Sequence, residues 1–476
     1  MTKKTSSSVS EPERIWKYRG FALIMFAVLV ASAMGVLVSS FATFAGQTET
    51  ANGLPEMEAM GDDWPEPTGV PGSGWISDQL AEGSSNDGSS PAIATGPGGE
   101  LHAAYESFSV AAGYQIAYTN STDGGITWNP IGLAGYSIED DLNPDIAVSP
   151  FDGRIFVAYE RHVSAADVDL HVAYSDDGIT WTQVVMDPGV TQYINPSIVV
   201  EHNQGATYNV YVAIEENFGD PDNRNIHLFR STDQGVSYTE RLYLGSPPDP
   251  SVYADPDLAY QRGPDMIDRL FMVYAYGNDA VDTQNIGLMW SEDWAGTWSG
   301  TTVRLDTALV YYPTIAASRD GDTVLTAWQV NTGGDYLIRY AYQLDTTNPS
   351  AVWNFGSRDS LGANDYAPKL SVDGQGTTSD AIGGNYHLIW TVGTGFNYLN
   401  YTSRSTALDI NPWTAIETID DIAGRPSVFL PEKGLTTQNR GGAWYPGAVW
   451  ADARAGGADD IYYVTPGMRA MVDSNP

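Results

Sequence analysis

The sequence predicts an all-β protein: a seven-bladed β-propeller of four-stranded blades, preceded by an N-terminal transmembrane helix and a flexible linker. Three observations predict this arrangement. They are a motif that occurs seven times, β-rich runs after each copy, and a charge-free stretch near the N-terminus. Repetition of one all-β unit about every 50 residues is typical of propellers. The propeller is predicted to occupy residues 75–476.

The N-terminal segment predicts attachment to a membrane. Residues 1–20 carry five Lys and Arg and are predicted to form a cytoplasmic tail, because positive flanks stay inside. Residues 21–45 contain no charged residue and, at about 1.5 Å per residue, are long enough to cross a bilayer core of about 30 Å. They are predicted to be a transmembrane signal-anchor, with a cleaved signal peptide as the alternative. Residues 46–74 are acidic and rich in Pro and Gly, which is typical of a linker.

The repeat consists of a proline followed by a short apolar run. The seven copies begin at Pro91, Pro144, Pro196, Pro256, Pro313, Pro368 and Pro426. Each copy is followed by a second apolar run, such as residues 155–159 or 324–328, and then by a third. Alternating apolar, β-branched and aromatic residues between Gly, Asn and Asp clusters indicate strands. Each unit is therefore predicted to form one blade.

The last unit predicts how the ring closes. Too few residues follow its third strand, at residues 461–465, for a fourth strand. Residues 75–80 precede the first unit and resemble residues 181–185, the predicted fourth strand of the second unit. Residues 75–80 are therefore predicted to pair with residues 461–465 and to close the propeller.

Composition limits the function. The formal net charge is −36, so the surface repels nucleic acid, and no nucleic-acid partner is predicted. The chain has no cysteine, which excludes disulfides, zinc–thiolate sites and thiol nucleophiles.

Four units carry a common turn motif between their third and fourth strands. Its copies are residues 121–128, 174–181, 231–238 and 291–298. An Asp carboxylate can accept N–H groups of such a turn, Gly supplies a positive φ, and the aromatic residue packs on the blade. The residues predicted to build these turns are Asp123, Gly125, Trp128, Asp176, Gly178, Trp181, Asp233, Gly235, Asp293 and Trp298.

These turns resemble the Asp boxes of the sialidase-like, or BNR-repeat, superfamily, whose pattern is Ser-x-Asp-x-Gly-x-Thr-Trp. The copies depart from the pattern at Tyr174, Tyr238 and Ala295. The resemblance implies a propeller in which the boxes are structural and lie opposite the active site. It also implies a glycosidase that grips a carboxylate with arginines, although the usual Arg-Ile-Pro segment is absent from the chain.

A ligand site is predicted on the face where the first strands begin and the second strands end. The candidate acid and base residues there are Asp452, Glu160 and Glu215, and the candidate ligand-binding residues are Arg161, Arg425, Arg454, Tyr193, Tyr253, Asp145 and Asp257. Carboxylates brought together raise each other's pKa, as general acids require. They are also calcium ligands, so calcium is the alternative to the absence of a cofactor. A third reading is that every repeat carries the same turn-forming residues for the fold alone.

Two functions follow from these patterns. The first is a cell-surface module that binds a glycan, a protein or an ion and is anchored by the N-terminal helix, or is secreted if that segment is cleaved. The second is an exo-acting glycoside hydrolase resembling sialidases. Whether the chain is an enzyme stays open at this point.

Overall fold

A computed structural model describes most of the chain after residue 78. The described residues are 79–82, 87–110, 112–129, 132–186, 189, 191–201, 207–219, 223–245, 252–262, 265, 267–277, 283–305, 308–318, 323–358, 364–373, 384–393, 398–406, 413–419, 433–440, 443–452 and 460–466. They form strands and turns without a helix, so nothing among them could span a membrane as a helix. The predicted tail, anchor and linker lie outside the described residues.

Twenty-eight strands are formed by the described residues. Strands β1 to β9 are Gln79–Glu82, Asp87–Thr95, Leu101–Ser109, Gly113–Ser121, Gly132–Gly135, Asp140–Val148, Ile155–Ser164, Asp167–Ser175 and Thr182–Met186. Strands β10 to β17 are Gln192–Val200, Val210–Asn217, Arg224–Ser231, Thr239–Leu244, Val252–Arg262, Asp268–Gly277, Thr283–Ser291 and Ser299–Leu305. Strands β18 to β28 are Leu309–Ala317, Val324–Asn331, Tyr336–Gln343, Asn354–Ser357, Asp365–Val372, Asn385–Val392, Tyr398–Ser405, Glu417–Thr418, Leu435–Arg440, Ala443–Asp452 and Asp460–Val464.

Antiparallel pairing divides these strands into seven groups of four. Six groups are consecutive: β2 to β5, β6 to β9, β10 to β13, β14 to β17, β18 to β21 and β22 to β25. Single parallel pairings of β8 with β10 and of β12 with β14 join the second, third and fourth groups into one 12-stranded sheet. The seventh contains β26, β27 and β28, with β1 as its outer strand. Within a group the first and third strands run in the same direction, because each is antiparallel to the second. The described architecture is all-β, as predicted, and its groups of four antiparallel strands are consistent with a propeller.

The N-terminal strand completes the last group. In β1, Gln79 lies opposite Tyr463 and Leu80 lies opposite Tyr462. Both residues belong to the predicted closing segment, whose residues 75–78 lie outside the described residues. The first strand of the last group also meets the first group, because the Ile93 N–H donates to the Lys433 carbonyl at 3.2 Å.

The first strands of six groups share one β-bulge. The bulged residues are Ser90, Asn143, Asn195, Asp255, Tyr312 and Ala367, with φ values between 43° and 54°. Each precedes a proline of the repeat, and at each one the pairing with the second strand shifts register. Proline is tolerated inside a sheet at a bulge because no ladder hydrogen bond is needed there.

The last repeat departs from this pattern. Its first strand is Leu435–Arg440 and contains no proline. The strand predicted to start at Pro426 was therefore misplaced, and Pro426 itself lies outside the described residues.

Hydrophobic cores lie between neighbouring groups. Trp328, Trp390 and Trp450 are completely buried at equivalent places in the second strands of the last three groups. Trp390 packs in a cluster with Leu325 and Ala327 of the preceding group. Apolar contact between groups therefore stabilises the arrangement in the absence of disulfides.

The Asp boxes are compact turns at the end of the fold where third strands finish, here called the Asp-box end. In the first box the Ser121 hydroxyl donates to Asp123 Oδ1 at 2.8 Å, and the Gly125 N–H donates to Ser121 Oγ at 2.8 Å. Asp123 also accepts the Thr127 N–H at 2.9 Å. These bonds to the ionised carboxylate keep the pKa of Asp123 below its usual value despite some burial.

The second box differs from its prediction. Asp177, rather than Asp176, accepts the bonds from Ser175 Oγ at 3.0 Å and from the Thr180 N–H at 2.7 Å. The box is one residue shorter than the others, so Ser175 and not Tyr174 takes the serine position. Asp176 instead forms an ion pair with Arg154 at 2.5 Å.

Box glycines bring neighbouring groups together. Gly125, Gly178 and Gly235 have positive φ, and a Cβ at these positions would overlap the rings of Tyr463, Tyr118 and Phe156, respectively. Tyr118 and Phe156 belong to the preceding group of strands, and Tyr463 belongs to the last group. The boxes therefore contribute to packing between groups as well as to their own turns.

We expect Gly235→Ala to destabilise the fold by about 2–4 kcal/mol, through a strained φ and overlap with Phe156. Gly219→Ala is the matched control, because Gly219 also has a positive φ but nothing lies within 4 Å of its added Cβ. This variant should lose only about 1 kcal/mol. Urea unfolding of both variants measures the difference, and equal losses would show that packing between groups contributes nothing at Gly235.

Candidate functional site

The six bulges surround one central cavity at the end of the fold where the first strands begin, here called the bulge end. Its volume is about 250 Å³. The lining residues are Ser90, Pro91, Asn143, Pro144, Asn195, Asp255, Pro256, Asp257, Tyr312, Pro313, Thr314, Pro368, Lys369 and Lys433. Proline rings thus form much of its apolar surface, and amide, carboxylate, phenol and ammonium groups supply its polar atoms.

Three Glu side chains and one Gln side chain of the second strands accept hydrogen bonds from the N–H groups of bulged residues. The Asn143 N–H donates to Glu106 Oε1 at 2.8 Å, and the Asn195 N–H donates to Glu160 Oε1 at 2.8 Å. Equivalent bonds join Asp255 N–H to Glu215 at 3.1 Å and Ala367 N–H to Gln329 at 3.0 Å. In each case the acceptor belongs to the preceding group of strands. These side chains therefore hold the cavity wall in place and connect adjacent groups.

Two of the predicted catalytic residues, Glu160 and Glu215, are among these supports. Both are buried and neither lines the cavity. Glu160 also accepts a bond from Asn143 Nδ2 at 2.8 Å and pairs with His162 at 2.8 Å. Direct contact between either carboxylate and a ligand would require these bonds to break.

Glu215, which is buried, and Asp255, which is half-buried, form a carboxyl pair beside the cavity. Asn195 Nδ2 donates to both, at 3.4 Å and 3.3 Å, and Arg224 Nη1 contacts Glu215 at 3.0 Å. Burial, reinforced by the Asp255 charge and opposed by Arg224, raises the pKa of Glu215 to about 7. Burial also raises the pKa of Asp255. Asp255 is the member of the pair that lines the cavity.

This pair predicts a pH dependence of stability. A carboxyl group whose pKa rises on folding binds its proton more tightly in the folded state, so stability falls as pH increases from about 4.3, the unfolded value, to about 7. We expect Glu215→Gln to reduce this fall, measured as the free energy of unfolding at pH 5 and pH 8. If the variant keeps the full wild-type difference, Glu215 does not titrate in this range.

Two lysines of the cavity contact residues of distant groups of strands. Lys369 and Lys433 are the only lysines after residue 17, and both line the cavity. Lys369 Nζ lies 3.1 Å from each carboxylate oxygen of Asp257, two groups away. Lys433 Nζ donates to the Pro196 carbonyl. Burial raises the pKa of Asp145, although the positive charges of Lys433 and Lys369 act to lower it.

Asp145 and Asp257 also connect neighbouring first strands. Asp145 accepts the Ile198 N–H at 2.8 Å, and Asp257 accepts the Ile315 N–H at 2.9 Å. Of these two predicted ligand-binding residues, Asp257 lines the cavity and Asp145 does not.

The remaining predicted site residues are spread apart. Arg161 forms two bonds with Asp141, at 2.7 Å and 2.9 Å. Tyr193 packs against His227, and Tyr253 packs against Tyr274, both away from the cavity lining. The Asp452 side chain, Arg425 and Arg454 lie outside what the structure describes, so their roles stay predictions.

Asn143, Asn195, Asp255 and Tyr312 lie at the start of first strands, on the face where the sequence predicts a ligand site. Sequence reasoning missed the two lysines of the cavity, Lys369 and Lys433. A signal for the lysines was present, since a chain of net charge −36 retains only two lysines beyond its N-terminal tail. Among the residues that the structure describes, no three His, Asp or Glu side chains are placed to hold a metal ion.

Comparison with known families identifies the class of protein. Residues 61–325, more than half of the chain, match the BNR repeat-like domain family. The chain belongs to this family, and the resemblance predicted from the Asp boxes is confirmed.

Solved structures with a similar fold include a protein of unknown function from Dyadobacter fermentans, at 12% identity and a TM-score of 0.47, covering 83% of this chain and 99% of that one. The NanB sialidase of Streptococcus pneumoniae matches at 12% identity with a TM-score of 0.44, covering 82% of this chain and 70% of that one. An α-L-arabinanase of Penicillium chrysogenum matches at 14% identity with a TM-score of 0.42, covering 82% of this chain and 98% of that one. At these values the similarities say nothing about a ligand or reaction of this chain. No curated protein matches the sequence.

Proposed function

We propose that this chain is a binding module that holds one sugar residue of a glycan in the central cavity. The observation that carries the proposal is the convergence of Asn195, Asp255, Tyr312, Lys369 and Lys433 on that cavity. Sugar hydroxyls both donate and accept hydrogen bonds, and these side chains offer both functions. A volume of about 250 Å³ is below the 300–1,000 Å³ typical of sites for larger ligands, so it suits a single residue.

The proposal includes a seven-bladed ring around this cavity. Each group's first strand lies beside the first strand of the next group, and β26 lies beside β2. Thr95 Oγ1 and Thr436 Oγ1 form a hydrogen bond of 3.0 Å across that last boundary. A ring of seven units explains why residues from groups far apart in sequence line one cavity.

A second candidate function is glycoside hydrolysis. The Glu215 and Asp255 pair favours it, because a carboxyl group with a pKa near 7 can act as a proton donor at neutral pH. Hydrolysis also needs a second carboxylate about 5–9.5 Å away across the bond to be cleaved. Glu215 is enclosed by its bonds to Asn195, Arg224 and the Asp255 N–H, so this function ranks second.

Binding and hydrolysis are separated by one pair of measurements on the detergent-solubilised full chain. Calorimetry with a panel of monosaccharides and short glycans should detect binding. Fluorogenic glycosides should show no turnover, with or without calcium or a chelator. Asp255→Asn should weaken binding at least about tenfold, because a charged hydrogen bond in the cavity is lost.

Asp176→Asn is the control, since it makes the same chemical change at the Asp-box end. It should leave the dissociation constant unchanged. Turnover that disappears in Asp255→Asn would establish the hydrolase instead. Equal affinities of the wild type and Asp255→Asn would place the ligand elsewhere.

We further propose that the module is exported and held at the cell surface by residues 21–45. The basic residues before this stretch and the acidic linker after it support that orientation. Cleavage of the segment would release the module, and mass spectrometry of the membrane-bound and secreted forms distinguishes the two. No cofactor is required by this proposal, and a change in glycan affinity on calcium removal would count against that part of it.

A further inference from the structure

Four consecutive groups expose an apolar side chain at their Asp boxes. Ile126, Ile179, Val236 and Trp294 are 51%, 83%, 52% and 51% exposed, respectively. All four lie in turns that follow third strands, so they occur at the Asp-box end. This end is opposite the cavity, because the bulges lie near the start of first strands, which run parallel to the third.

Ile126, Ile179 and Val236 directly follow the box glycine, whereas Trp294 lies two positions earlier in its box. Exposed apolar side chains that recur in the turns of so acidic a protein indicate a partner. Isolated apolar residues on a surface are ordinary, but these four occupy the same turn in neighbouring units. Tryptophan and aliphatic side chains together are the residues that enter the interface of a bilayer. The carboxylates beside the tips, such as Asp123 and Asp233, are occupied by hydrogen bonds within their own turns.

The position at which the chain enters the fold favours a bilayer over another partner. Strand β1 is the fourth of its group and runs away from the Asp-box end, so residues before Gln79 join the fold there. Tyr463, opposite Gln79, packs on Trp128 of the first Asp box at 5.5 Å between ring centroids.

We infer that the Asp-box end rests on the bilayer surface through Ile126, Ile179, Val236 and Trp294, with the glycan cavity facing away from the membrane. This inference depends on the proposed anchoring and is independent of glycan binding. The four tips would lie at the level of the lipid headgroups.

The absence of native cysteine allows a direct test with single labels. Ile179→Cys and Val110→Cys, each in the full chain, carry an environment-sensitive fluorophore and are reconstituted in phosphatidylcholine vesicles that contain a nitroxide-labelled lipid. Val110 is the matched control, because it is 97% exposed and lies in a turn at the bulge end. The label at 179 should show a blue shift and a loss of emission from quenching, and the label at 110 should show neither.

Equal quenching at both sites, or stronger quenching at 110, would overturn the orientation. Release of the chain from vesicles by alkaline carbonate would refute the anchor and this inference together. Neither outcome affects the glycan-binding measurement, so failures of the two proposals are distinguishable. Ile179→Ser should keep the fold, since the side chain is exposed, and should reduce quenching of a label placed at 236.

Discussion

Deleting residues 75–82 should lower the melting temperature of the full chain by more than about 5 °C. The deletion removes β1, whose pairing with β28 extends from Gln79 opposite Tyr463 to Glu82 opposite Ile461. The β28 edge would then carry unpaired N–H and C=O groups. The core of the last group would also lose the strand that covers it. Loss of a whole strand costs more than the largest single substitutions, about 5 kcal/mol. For a fold of about 400 residues, each kcal/mol corresponds to roughly 1 °C.

The matched control is deletion of residues 51–58, an equal length of the proposed linker. It should leave the melting temperature unchanged, as followed by circular dichroism at one detergent concentration. An unchanged melting temperature after deletion of residues 75–82 would mean that β1 does not close the fold. The deletion should also promote aggregation, since an open β-edge is a template for pairing with other chains.

The overall fold could be predicted because its determinants are local and repeated. A proline in the first strand of six groups, and an Asp and an aromatic residue in each box, are visible without knowledge of distant contacts. Prediction was wrong where one repeat departed from the others. The last first strand, Leu435–Arg440, lacks the proline, and the second box is shortened by one residue. In the box, only the hydrogen bonds show that Asp177 replaces Asp176.

The site was harder to predict because its contacts join separate repeats. The sequence predicts Glu160 and Glu215 to be acid and base residues where second strands end, but they lie within β7 and β11. In the structure they accept N–H bonds from Asn195 and Asp255, respectively, in the next group. The N–H donors in these bonds belong to bulged residues with positive φ. A position before a proline does not predict that conformation from the sequence.

Removing the Lys369 ammonium should cost about 3 kcal/mol. Lys369→Met keeps most of the side-chain volume but leaves Asp257, which is buried, without its cation. Breaking one side of a buried ion pair typically costs 3–5 kcal/mol. Asp257 keeps hydrogen bonds from Thr314 Oγ1 at 2.8 Å and the Ile315 N–H at 2.9 Å, which places the loss at the lower end.

The double variant Lys369→Met with Asp257→Asn decides the cause of that loss. Neutralising Asp257 removes the uncompensated charge. The bonds from Thr314 and Ile315 both go to Oδ2, so an Asn oxygen at that place can still accept them, and most of the stability should return. Arg154→Met is the control, because its partner Asp176 is exposed and such pairs contribute about 1 kcal/mol or less. If the double variant is no more stable than Lys369→Met, the uncompensated charge of Asp257 is not the cause of the loss. If Lys369→Met loses no stability, the ion pair between Lys369 and Asp257 does not stabilise the packing of the first strands.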